Sequence, residues 1–317
     1  MTSAPLISVE LGGLLTTVQD LGRTGQRRSG LAAAGAMDPD ALATANLLVG
    51  NPRGAAALEI TLLGPRLRFL APARIAVCGG DLSARLDDTP MPLWKTVTVG
   101  AGQRLSFGRR RAGARAYLAA QGGFDVPVAA GSRSTFLRGK LGGVEGRGLR
   151  PGDILSASVS SVQGGERGLR ARDIPAWDLP AVLRVLPGPH FSHFTEMGHA
   201  AFFEGMYTLS PQSDRQGYRL TGPVVTRQTS GDILSEPMPA GGIQIPPDGR
   251  PILLMADCQP TGGYPLLGVV ISADIPRAGQ LAPGDGVQFV PVSLADAAAA
   301  AIHAERRLRL LELVCRG

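Results

Sequence analysis

The sequence predicts a mainly β protein of two lobes with a few short helices, and three observations indicate this fold class. The 317 residues exceed what one hydrophobic core usually serves, so two domains are expected. The 43 glycines and 25 prolines exceed the average for a globular protein and indicate many turns between short elements. Apolar and polar residues also alternate with a period of two over long stretches, which is typical of half-buried antiparallel strands.

The first lobe opens on a short strand at Leu6–Val9, followed by a long polar loop. Beyond the loop, Asp38 stands at a helix N-cap position and Pro39 at the first helical position, while Gly50 stands where a helix would end. Because leucine, alanine and valine recur at helical spacing between them, we predict one helix over residues 39–49.

Alternating apolar and polar residues dominate the chain from Leu58 to Leu118. The clearest runs are Arg66–Phe69, Lys95–Val99 and Arg104–Phe107. Each run predicts a strand with one face in the core and the other toward solvent.

After Asp153–Leu155 the chain becomes small, polar and charged without periodicity, which is typical of a linker. A second β-rich lobe begins at Val182–Leu186, carries a short helix at Ser192–Glu204 and closes with an alanine-rich helix over residues 294–314. The predicted boundaries are 1–160 for the first lobe, 161–180 for the linker and 181–317 for the second lobe with its terminal helix.

Charge and cysteine content argue against several classes of protein. The formal net charge is +6, but the arginines are dispersed and few aromatic residues lie between them to stack on bases. This distribution favours a solvated basic surface, and no nucleic-acid partner is expected. The three cysteines are widely spaced, no signal peptide precedes them, and no apolar run is long enough to cross a bilayer. We therefore expect a cytoplasmic protein without a membrane partner.

Familiar catalytic signatures are missing from the sequence. It contains no Gly-x-x-x-x-Gly-Lys-Ser/Thr loop, no Gly-x-Ser-x-Gly elbow and no Cys-x-x-Cys pair. The glycine run at 142–148 suits an anion cradle or a surface hairpin, and the lack of a following helix favours the hairpin. Cys258 is a nucleophile or a buried inert thiol, and the inert thiol is favoured because the sequence places no base beside it.

Three histidines, His190, His193 and His199, lie close together in the second lobe. Their spacing places His193 and His199 on different faces of the predicted helix, and no cysteine is nearby to complete a zinc set. A structural role is the favoured interpretation, and no metal site is predicted.

The strongest signals are composite polar and glycine-rich motifs, one set in each lobe. In the first lobe they are Gln19-Asp20-Leu21-Gly22-Arg23-x-Gly25, Gly35-Ala36-Met37-Asp38, Ala45-Asn46-Leu47-Leu48-Val49-Gly50-Asn51-Pro52 and Leu58-Glu59-Ile60. In the second lobe they are Ser213-Asp214-Arg215-Gln216-Gly217-Tyr218-Arg219-Leu220, Gly242-Ile243-Gln244-Ile245-Pro246-Pro247-Asp248-Gly249 and Asp257-Cys258-Gln259-Pro260-Thr261-Gly262-Gly263-Tyr264-Pro265.

Together these motifs resemble the family variously called allophanate hydrolase subunit 2, the antagonist of the sporulation-kinase inhibitor, and the C subunit of the prokaryotic 5-oxoprolinase. The same unit is similar to the second half of the carboxyltransferase region of urea carboxylase. The resemblance runs over about residues 7–297 and implies two cyclophilin-like β-barrel lobes. One departure is Pro260, since the family commonly has Gln-Thr-Thr-Gly-Gly-Tyr there; proline removes one hydroxyl and one backbone donor.

The resemblance implies a subunit of an ATP-dependent 5-oxoprolinase complex, which cleaves the lactam of 5-oxo-L-proline to L-glutamate. Resonance makes an unstrained lactam a poor electrophile, so ATP is expected to activate the amide oxygen. The implied partners are a subunit-B-like protein, a subunit-A-like protein and the small-molecule substrate, and the subunit that binds ATP is left open.

Two alternatives stay open at this point. One is the carboxyltransferase half of a biotin-dependent urea or amide carboxylase, with biotin on a separate carrier because this chain has no Met-Lys-Met carrier motif. The other is a regulatory protein that binds a kinase inhibitor and turns over no substrate.

The candidate catalytic residues are five charged side chains within the motifs, Asp20, Arg23, Arg215, Arg219 and Asp257. The planar guanidinium fork binds carboxylates and phosphates through two hydrogen bonds, so the arginines are expected to clamp anionic groups. Each aspartate is suited to orienting an arginine, acting as a base or capping a turn.

The candidate substrate-binding residues are Gln19, Asn46, Gln244, Gln259, Thr261, Gly262, Gly263 and Tyr264. Among them, Gln244 and Gln259 are suited to holding an amide edge, because a carboxamide both donates and accepts hydrogen bonds.

Overall fold

The computed structural model describes residues 3–158, 165–228 and 233–316, and the chain forms two compact units. Unit 1 consists of the chain up to Thr24, Ala34–Ala176 and the residues from Arg307 onward. Unit 2 consists of Gly25–Ala33 and Trp177–Arg306. The division after Ala176 falls inside the segment predicted as a linker. Each unit also receives a piece of chain that the predicted boundaries assign to the other lobe.

Unit 1 is built mostly from strands in two antiparallel sheets. Its strands are β1 (Ser3–Leu11), β2 (Leu15–Gln19), β3 (Ala57–Thr61), β4 (Arg66–Phe69), β5 (Ala73–Asp81), β6 (Arg85–Leu86), β7 (Thr89–Pro90), β8 (Thr96–Val99), β9 (Arg104–Ser106), β10 (Ala112–Ala120), β11 (Phe124–Asp125) and β12 (Ile154–Ser158). The larger sheet has the order β11-β12-β1-β4-β9-β6-β7 and the smaller one β2-β3-β10-β5-β8. Ile7 and Phe69 of the larger sheet are buried in one apolar cluster with Leu58 and Leu118 of the smaller, so the sheets share a core.

Unit 2 is built around a closed barrel. Its strands are β13 (Ala181–Pro187), β14 (Tyr207–Leu209), β15 (Gly217–Thr221), β16 (Glu236–Pro237), β17 (Gly242–Gln244), β18 (Ile252–Leu254), β19 (Thr261–Gly262), β20 (Leu266–Val270) and β21 (Gly286–Pro291). The barrel order is β13-β20-β17-β18-β15-β14-β21, while β16 and β19 form a separate two-stranded sheet. The barrel closes through the parallel pair β13 and β21.

The predicted mainly β fold with few helices is confirmed, and unit 2 is a closed barrel as expected. In unit 1, by contrast, the described strands lie in the two sheets given above. The period-two runs predicted the strands well: β4 buries Leu67 and Phe69 and exposes Arg66 and Arg68.

Few helices accompany the strands. They are α1 (Pro39–Leu48), α2 (Glu196–Glu204), α3 (Ile275–Gly279) and α4 (Leu294–Arg316), with short 3-10 helices at Gln26–Ser29, Ala171–Asp173, Phe191–His193 and Ser272–Asp274. The predicted first helix is confirmed, and Asp38 caps it by accepting a hydrogen bond from Ala41 N at 2.9 Å. The terminal helix is also confirmed. Within the described residues, no helix combines the length and apolar character that a membrane span requires.

The helix predicted over Ser192–Glu204 begins later in the structure. Thr195 is the N-cap of α2, and its Oγ1 accepts a hydrogen bond from Gly198 N at 3.0 Å. The residues before Thr195 form a separate 3-10 turn. Helical spacing alone predicted too early a start, because the capping residue decides where the helix begins.

The described part of the predicted linker is bonded to unit 1, while residues 159–164 lie outside the described residues. Gly165 O accepts a hydrogen bond from Arg74 Nη2. Thr96 N donates to Arg167 O at 2.8 Å, and Arg167 N donates to Thr96 Oγ1 at 2.9 Å. The main-chain bond between Thr96 and Arg167 and an antiparallel bridge between Lys95 and Gly168 extend the edge beside β8, so this part of the predicted linker is held against unit 1.

Candidate functional site

The candidate residues of unit 1 are organised by the turn after β2. Asp20 is half-buried, and its carboxylate accepts hydrogen bonds from Ser134 Oγ (2.5 Å), Ser132 Oγ (2.6 Å), Arg133 N (2.6 Å) and Gly22 N (2.8 Å). One carboxylate therefore ties its own turn to a loop more than a hundred residues later. We call these five residues the Asp20 cluster.

Arg23 is almost fully buried and donates to main-chain carbonyls. Its Nε donates to Ala129 O at 3.1 Å, and its Nη2 donates to Ser134 O. A Cβ on Gly142 would lie 2.5 Å from that Nη2, and the φ angle of Gly142 is 71°, so glycine is required there. Gly142 is thus packed against the Arg23 guanidinium, and the run at 142–148 contains an antiparallel bridge between Val144 and Arg147, as a hairpin requires.

Gln19 and Asn46 are both fully buried in unit 1. Gln19 Nε2 donates to Thr135 O at 3.1 Å. Asn46 Nδ2 donates to Ala55 O at 2.7 Å, and its Oδ1 accepts from Asn51 Nδ2 at 3.0 Å. The structure therefore places both predicted substrate-binding residues in the interior, where their amides hold neighbouring loops. Their role toward a substrate stays a prediction.

A buried polar cluster around Glu59 was not predicted. Glu59 Oε2 accepts hydrogen bonds from Met37 N and Tyr117 OH, both at 2.8 Å, and Asp38 N donates to the same hydroxyl at 2.8 Å. Arg115 Nε lies 3.9 Å from Glu59 Oε1. Burial and the nearby Glu59 raise the pKa of Tyr117 well above its ordinary value. The sequence signal for this cluster is Glu59 in the middle of an apolar strand. A carboxylate is buried only together with hydrogen-bonding or charged partners, so such a glutamate indicates a buried polar cluster.

Arg215 and Asp257 form an ion pair in the interior of unit 2, with side chains only 4% and 3% exposed. Arg215 Nη2 donates to Asp257 Oδ1 at 2.9 Å, and Nε donates to Oδ2 at 3.1 Å. Asp257 N also donates to Arg215 O at 2.8 Å, which joins the two turns. By contrast, Arg219 is exposed on β15. The structure thus brings Arg215 and Asp257 together and leaves Arg219 at the surface; their catalytic assignment stays a prediction.

The Gln259–Tyr264 segment carries the exposed substrate-binding candidates of unit 2 and includes β19. The side chains of Gln259, Thr261 and Tyr264 face solvent. Pro260 has no amide hydrogen, but its carbonyl accepts a hydrogen bond from Met238 N at 2.9 Å. The backbone is therefore held in place at the position where the family's hydroxyl is missing.

Gln244 is buried against this segment. Its Nε2 donates to Tyr264 O at 3.3 Å and lies 3.4 Å from Met238 Sδ, and its Oε1 accepts from Gln259 Nε2 at 3.4 Å. A Cβ on Gly262 would stand 2.7 Å from Gln244 Nε2, so glycine permits this close approach. The candidates that the structure brings together here are Gln244, Gln259, Thr261, Gly262, Gly263 and Tyr264.

Arg27 joins this site, although it is absent from the residues predicted from the sequence. Its Nη2 donates to Met238 O and, at 3.0 Å, to Gln259 O, while its Nη1 lies 3.6 Å from Cys258 Sγ. Cys258 is fully buried; burial raises the pKa of its thiol, and the contact with Arg27 opposes that rise. The buried-thiol interpretation of Cys258 is confirmed. Arg27 is the anchor of the Gln259–Tyr264 segment.

We expect Arg27→Ala to loosen this segment, because the carbonyls of Met238 and Gln259 both lose a charged donor. The expected cost is about 1–3 kcal/mol of unfolding free energy, with faster amide hydrogen exchange at Met238, whose N–H donates to Pro260 O. Thermal melting and hydrogen-exchange mass spectrometry measure both effects. The matched control is Arg28→Ala, since Arg28 is exposed in the same 3-10 helix; equal effects from the two variants would contradict the anchoring role.

The histidines of unit 2 take separate places around the short helices. His199 is stacked on Phe191 with ring centroids 3.9 Å apart, and its Nε2 lies 2.9 Å from Phe191 O. His190 and His193 meet edge to face with centroids 5.1 Å apart. In the part of the chain that the structure describes, no three His, Cys, Asp or Glu side chains are placed to share a metal ion.

A known protein family shares the sequence features of this chain. The family model described as carboxyltransferase domain, subdomain A and B, matches residues 29–291. The chain therefore belongs to the carboxyltransferase-domain family, which confirms the membership that its motifs indicated.

Within this family, the chain is similar along its length to the C subunit of 5-oxoprolinase. It is 40% identical to that protein from Escherichia coli K12 over 292 residues, which are 92% of this chain and 93% of the relative. It is 39% identical to the Haemophilus influenzae protein of the same name over 282 residues, 89% of this chain and 90% of that one. It is also 37% identical to the urea amidolyase of Lachancea kluyveri over 305 residues, but these cover only 16% of that much longer protein.

Solved structures share the architecture. The K. lactis urea amidolyase matches 98% of this chain with a TM-score of 0.91 and 33% identity. The protein TTHA0988 matches 90% of this chain with a TM-score of 0.82 and 35% identity. The chain covers 20% of the urea amidolyase chain and 56% of the TTHA0988 chain, so in both it corresponds to one part of a longer polypeptide.

Proposed function

We propose that the chain is the C subunit of an ATP-dependent 5-oxoprolinase, a hydrolase that cleaves 5-oxo-L-proline to L-glutamate together with subunit-B-like and subunit-A-like proteins. The observation that carries this proposal is the end-to-end similarity to the 5-oxoprolinase C subunits of two bacteria, in which each chain covers nearly all of the other. The similarity to urea amidolyases, by contrast, covers a small part of those proteins.

The Gln259–Tyr264 segment is the part of unit 2 that we propose meets the substrate. A lactam offers one N–H donor and one carbonyl acceptor, and the carboxamide of the exposed Gln259 complements both, while the buried Gln244 holds Gln259 and the Tyr264 carbonyl. Gly262 lets the Gln244 side chain pack closely against the backbone of this segment. The buried Arg23 and Arg215 guanidiniums bind protein groups in the structure, so we assign them to holding their loops in shape.

ATP is proposed to bind on a partner subunit. The glycine run at 142–148 does not fit a phosphate cradle, because Cβ positions at Gly142 and Gly143 would lie within 2.1 Å of Ser134 O and 1.9 Å of Thr135 Oγ1. Two amides of the run are also bonded to protein carbonyls, since Gly143 N donates to Arg133 O at 2.9 Å and Gly146 N donates to Gly142 O at 2.7 Å. When ATP is bound in the complex, it supplies phosphoryl-transfer chemistry that activates the lactam.

The test is reconstitution. We expect the purified chain alone neither to open 5-oxoproline nor to hydrolyse ATP, and we expect 5-oxoproline-dependent glutamate release when the A-like and B-like proteins are added. Co-expression with the B-like protein should give one peak in size-exclusion chromatography. Full turnover by the chain alone, or separate elution at micromolar concentration, would overturn the proposal.

A second candidate function is the carboxyltransferase part of a biotin-dependent urea carboxylase. It is favoured by the description of the matching family model and by the TM-score of 0.91 to a urea amidolyase. Co-purification of a biotinylated carrier protein and urea-dependent ATP hydrolysis would support this candidate over the 5-oxoprolinase subunit.

A further inference from the structure

The orientation of the buried Gln244 carboxamide is set by its neighbours. One end of it lies 3.3 Å from Tyr264 O, and a main-chain carbonyl oxygen only accepts hydrogen bonds, so that end is the NH₂ group. The same Nε2 lies 3.4 Å from Met238 Sδ, which is a weak acceptor. Gln244 Oε1 is therefore the atom that faces Gln259. Both polar ends of Gln244 contact protein groups, and the side chain is only 2% exposed, so it is not itself a ligand-binding group.

The orientation of Gln244 in turn sets the orientation of Gln259. Gln244 Oε1 only accepts, so the atom of Gln259 that lies 3.4 Å from it is Nε2. Among the residues that the structure describes, none donates a hydrogen bond to Gln259 Oε1, and this side chain is exposed. Arg27 holds the main chain at the same position, because its Nη2 donates to Gln259 O at 3.0 Å. Protein groups thus hold both the backbone and the amide of an exposed glutamine.

Two hydrogen-bonding groups of Gln259 are left for a ligand. Nε2 carries two hydrogens, of which Gln244 takes one, and Oε1 is an acceptor. A primary carboxamide is planar and has one Nε2 hydrogen on the same side as Oε1. The exposed edge of Gln259 can therefore accept one hydrogen bond and donate another in parallel.

We propose that Gln259 binds the cis-amide edge of the substrate and that Gln244 is the positioning residue that keeps Gln259 in the required orientation. The ring of a lactam holds the N–H and the carbonyl oxygen on the same side of the C–N bond, whereas an open-chain secondary amide is almost always trans. Gln259 Oε1 accepts from the lactam N–H, and the Nε2 hydrogen beside it donates to the lactam oxygen. That this edge belongs to 5-oxo-L-proline rests on the proposed function.

The pairing defines a chemical class of ligand. Lactams, ureas and primary amides each have an N–H hydrogen beside the carbonyl oxygen. Lactones and N-alkylated lactams lack that hydrogen, so Gln259 Oε1 would face an acceptor or a methyl group. Because Gln259 is exposed, water replaces part of the lost hydrogen bond, and we expect discrimination on the order of tenfold.

The activity test compares two inhibitors of the reconstituted complex. 2-Pyrrolidinone should compete with 5-oxoproline, and N-methyl-2-pyrrolidinone should have a Ki about tenfold higher. Gln259→Met should raise KM for 5-oxoproline by about tenfold and change kcat less, because it removes a binding contact. The matched control is Gln228→Met, since Gln228 is also exposed and its Nε2 donates to Phe194 O at 3.2 Å. Equal Ki values for the two lactams, or a wild-type KM for Gln259→Met, would overturn the proposal.

Gln244→Met tests the positioning role. It removes the acceptor that faces Gln259 Nε2, so the Gln259 carboxamide can turn over and the ratio of the two Ki values should fall toward one. A merely structural role would weaken both inhibitors equally and leave their ratio unchanged. The melting temperature is measured on the same preparations. A ratio of wild-type size in Gln244→Met would therefore refute the positioning role, whatever the change in stability.

A binding measurement on the isolated full chain separates this inference from the proposed function. In proton–nitrogen-15 NMR spectra, the side-chain NH₂ signals of Gln259 are assigned by their loss in Gln259→Met. They should shift when 2-pyrrolidinone is added and shift much less with N-methyl-2-pyrrolidinone. Unmoved signals, or equal shifts with both compounds, would refute the cis-amide site. The expected shifts in a chain whose complex never opens 5-oxoproline would retain the cis-amide site and refute the 5-oxoprolinase assignment.

Discussion

Arg215→Ala should destabilise the protein by about 3–5 kcal/mol, because it leaves the Asp257 carboxylate buried without its bidentate partner. For a unit of this size, that loss lowers the melting temperature by roughly 6–20 °C. Activity of the reconstituted complex should fall in step with folding. Differential scanning calorimetry and activity assays on the same preparations measure both quantities.

The control variants are Arg219→Ala and Arg109→Ala, since both arginines are exposed. Each should change the unfolding free energy by less than about 0.5 kcal/mol. Replacing the whole pair by Arg215→Met with Asp257→Leu should recover part of the lost stability, because no unpaired charge is then buried. If Arg215→Ala keeps its melting temperature and loses activity, the side chain acts on substrate and the structural interpretation is wrong.

Asp20→Ala should lower the free energy of unfolding by about 2–4 kcal/mol and abolish turnover, because four donors of the Asp20 cluster lose their shared acceptor. Asp20→Asn should lower the free energy of unfolding by less, since one acceptor oxygen remains. The new NH₂ group faces a donor such as Arg133 N, so that hydrogen bond is still lost. Chemical denaturation gives the free energies, and amide hydrogen exchange should rise at Arg133 and Gly22. Both effects follow from a role in holding the loop.

A matched control is Asp125→Asn, since Asp125 is exposed and its ion pair with Arg133 is long at 3.7 Å. It should leave both stability and turnover nearly unchanged. If Asp20→Asn loses turnover while stability and exchange remain as in wild type, Asp20 is a base and not a loop-holding residue.

Local patterns predicted most of the secondary structure, because strands and helix caps depend on residues close together in sequence. The N-cap Asp38 followed by Pro39 was sufficient for α1, and period-two alternation was sufficient for β4. The start of α2 was misplaced because its apolar spacing extends past the residue that caps it, Thr195.

The candidate sites depended on contacts that no local pattern contains. Arg215 was expected to clamp an anion, and its fork is occupied by Asp257, 42 residues later. Arg27 was missed because its partner Gln259 is 232 residues away. A sequence motif thus identified which side chains carry charge, but only the folded chain shows which charges are already neutralised by protein groups.

The assignment of Gly25–Ala33 to unit 2 has a consequence for dividing the gene. A cut after Ala176 would yield a C-terminal product lacking Arg27, and the carbonyls of Met238 and Gln259 would lose its guanidinium. The same product would still contain the barrel strands, but it would lack Arg27, which anchors the exposed Gln259–Tyr264 segment. The two units are therefore compact in the folded chain, but neither is encoded by one continuous stretch of the gene. A crossover at their boundary would separate the Gln259–Tyr264 segment from the arginine that holds it.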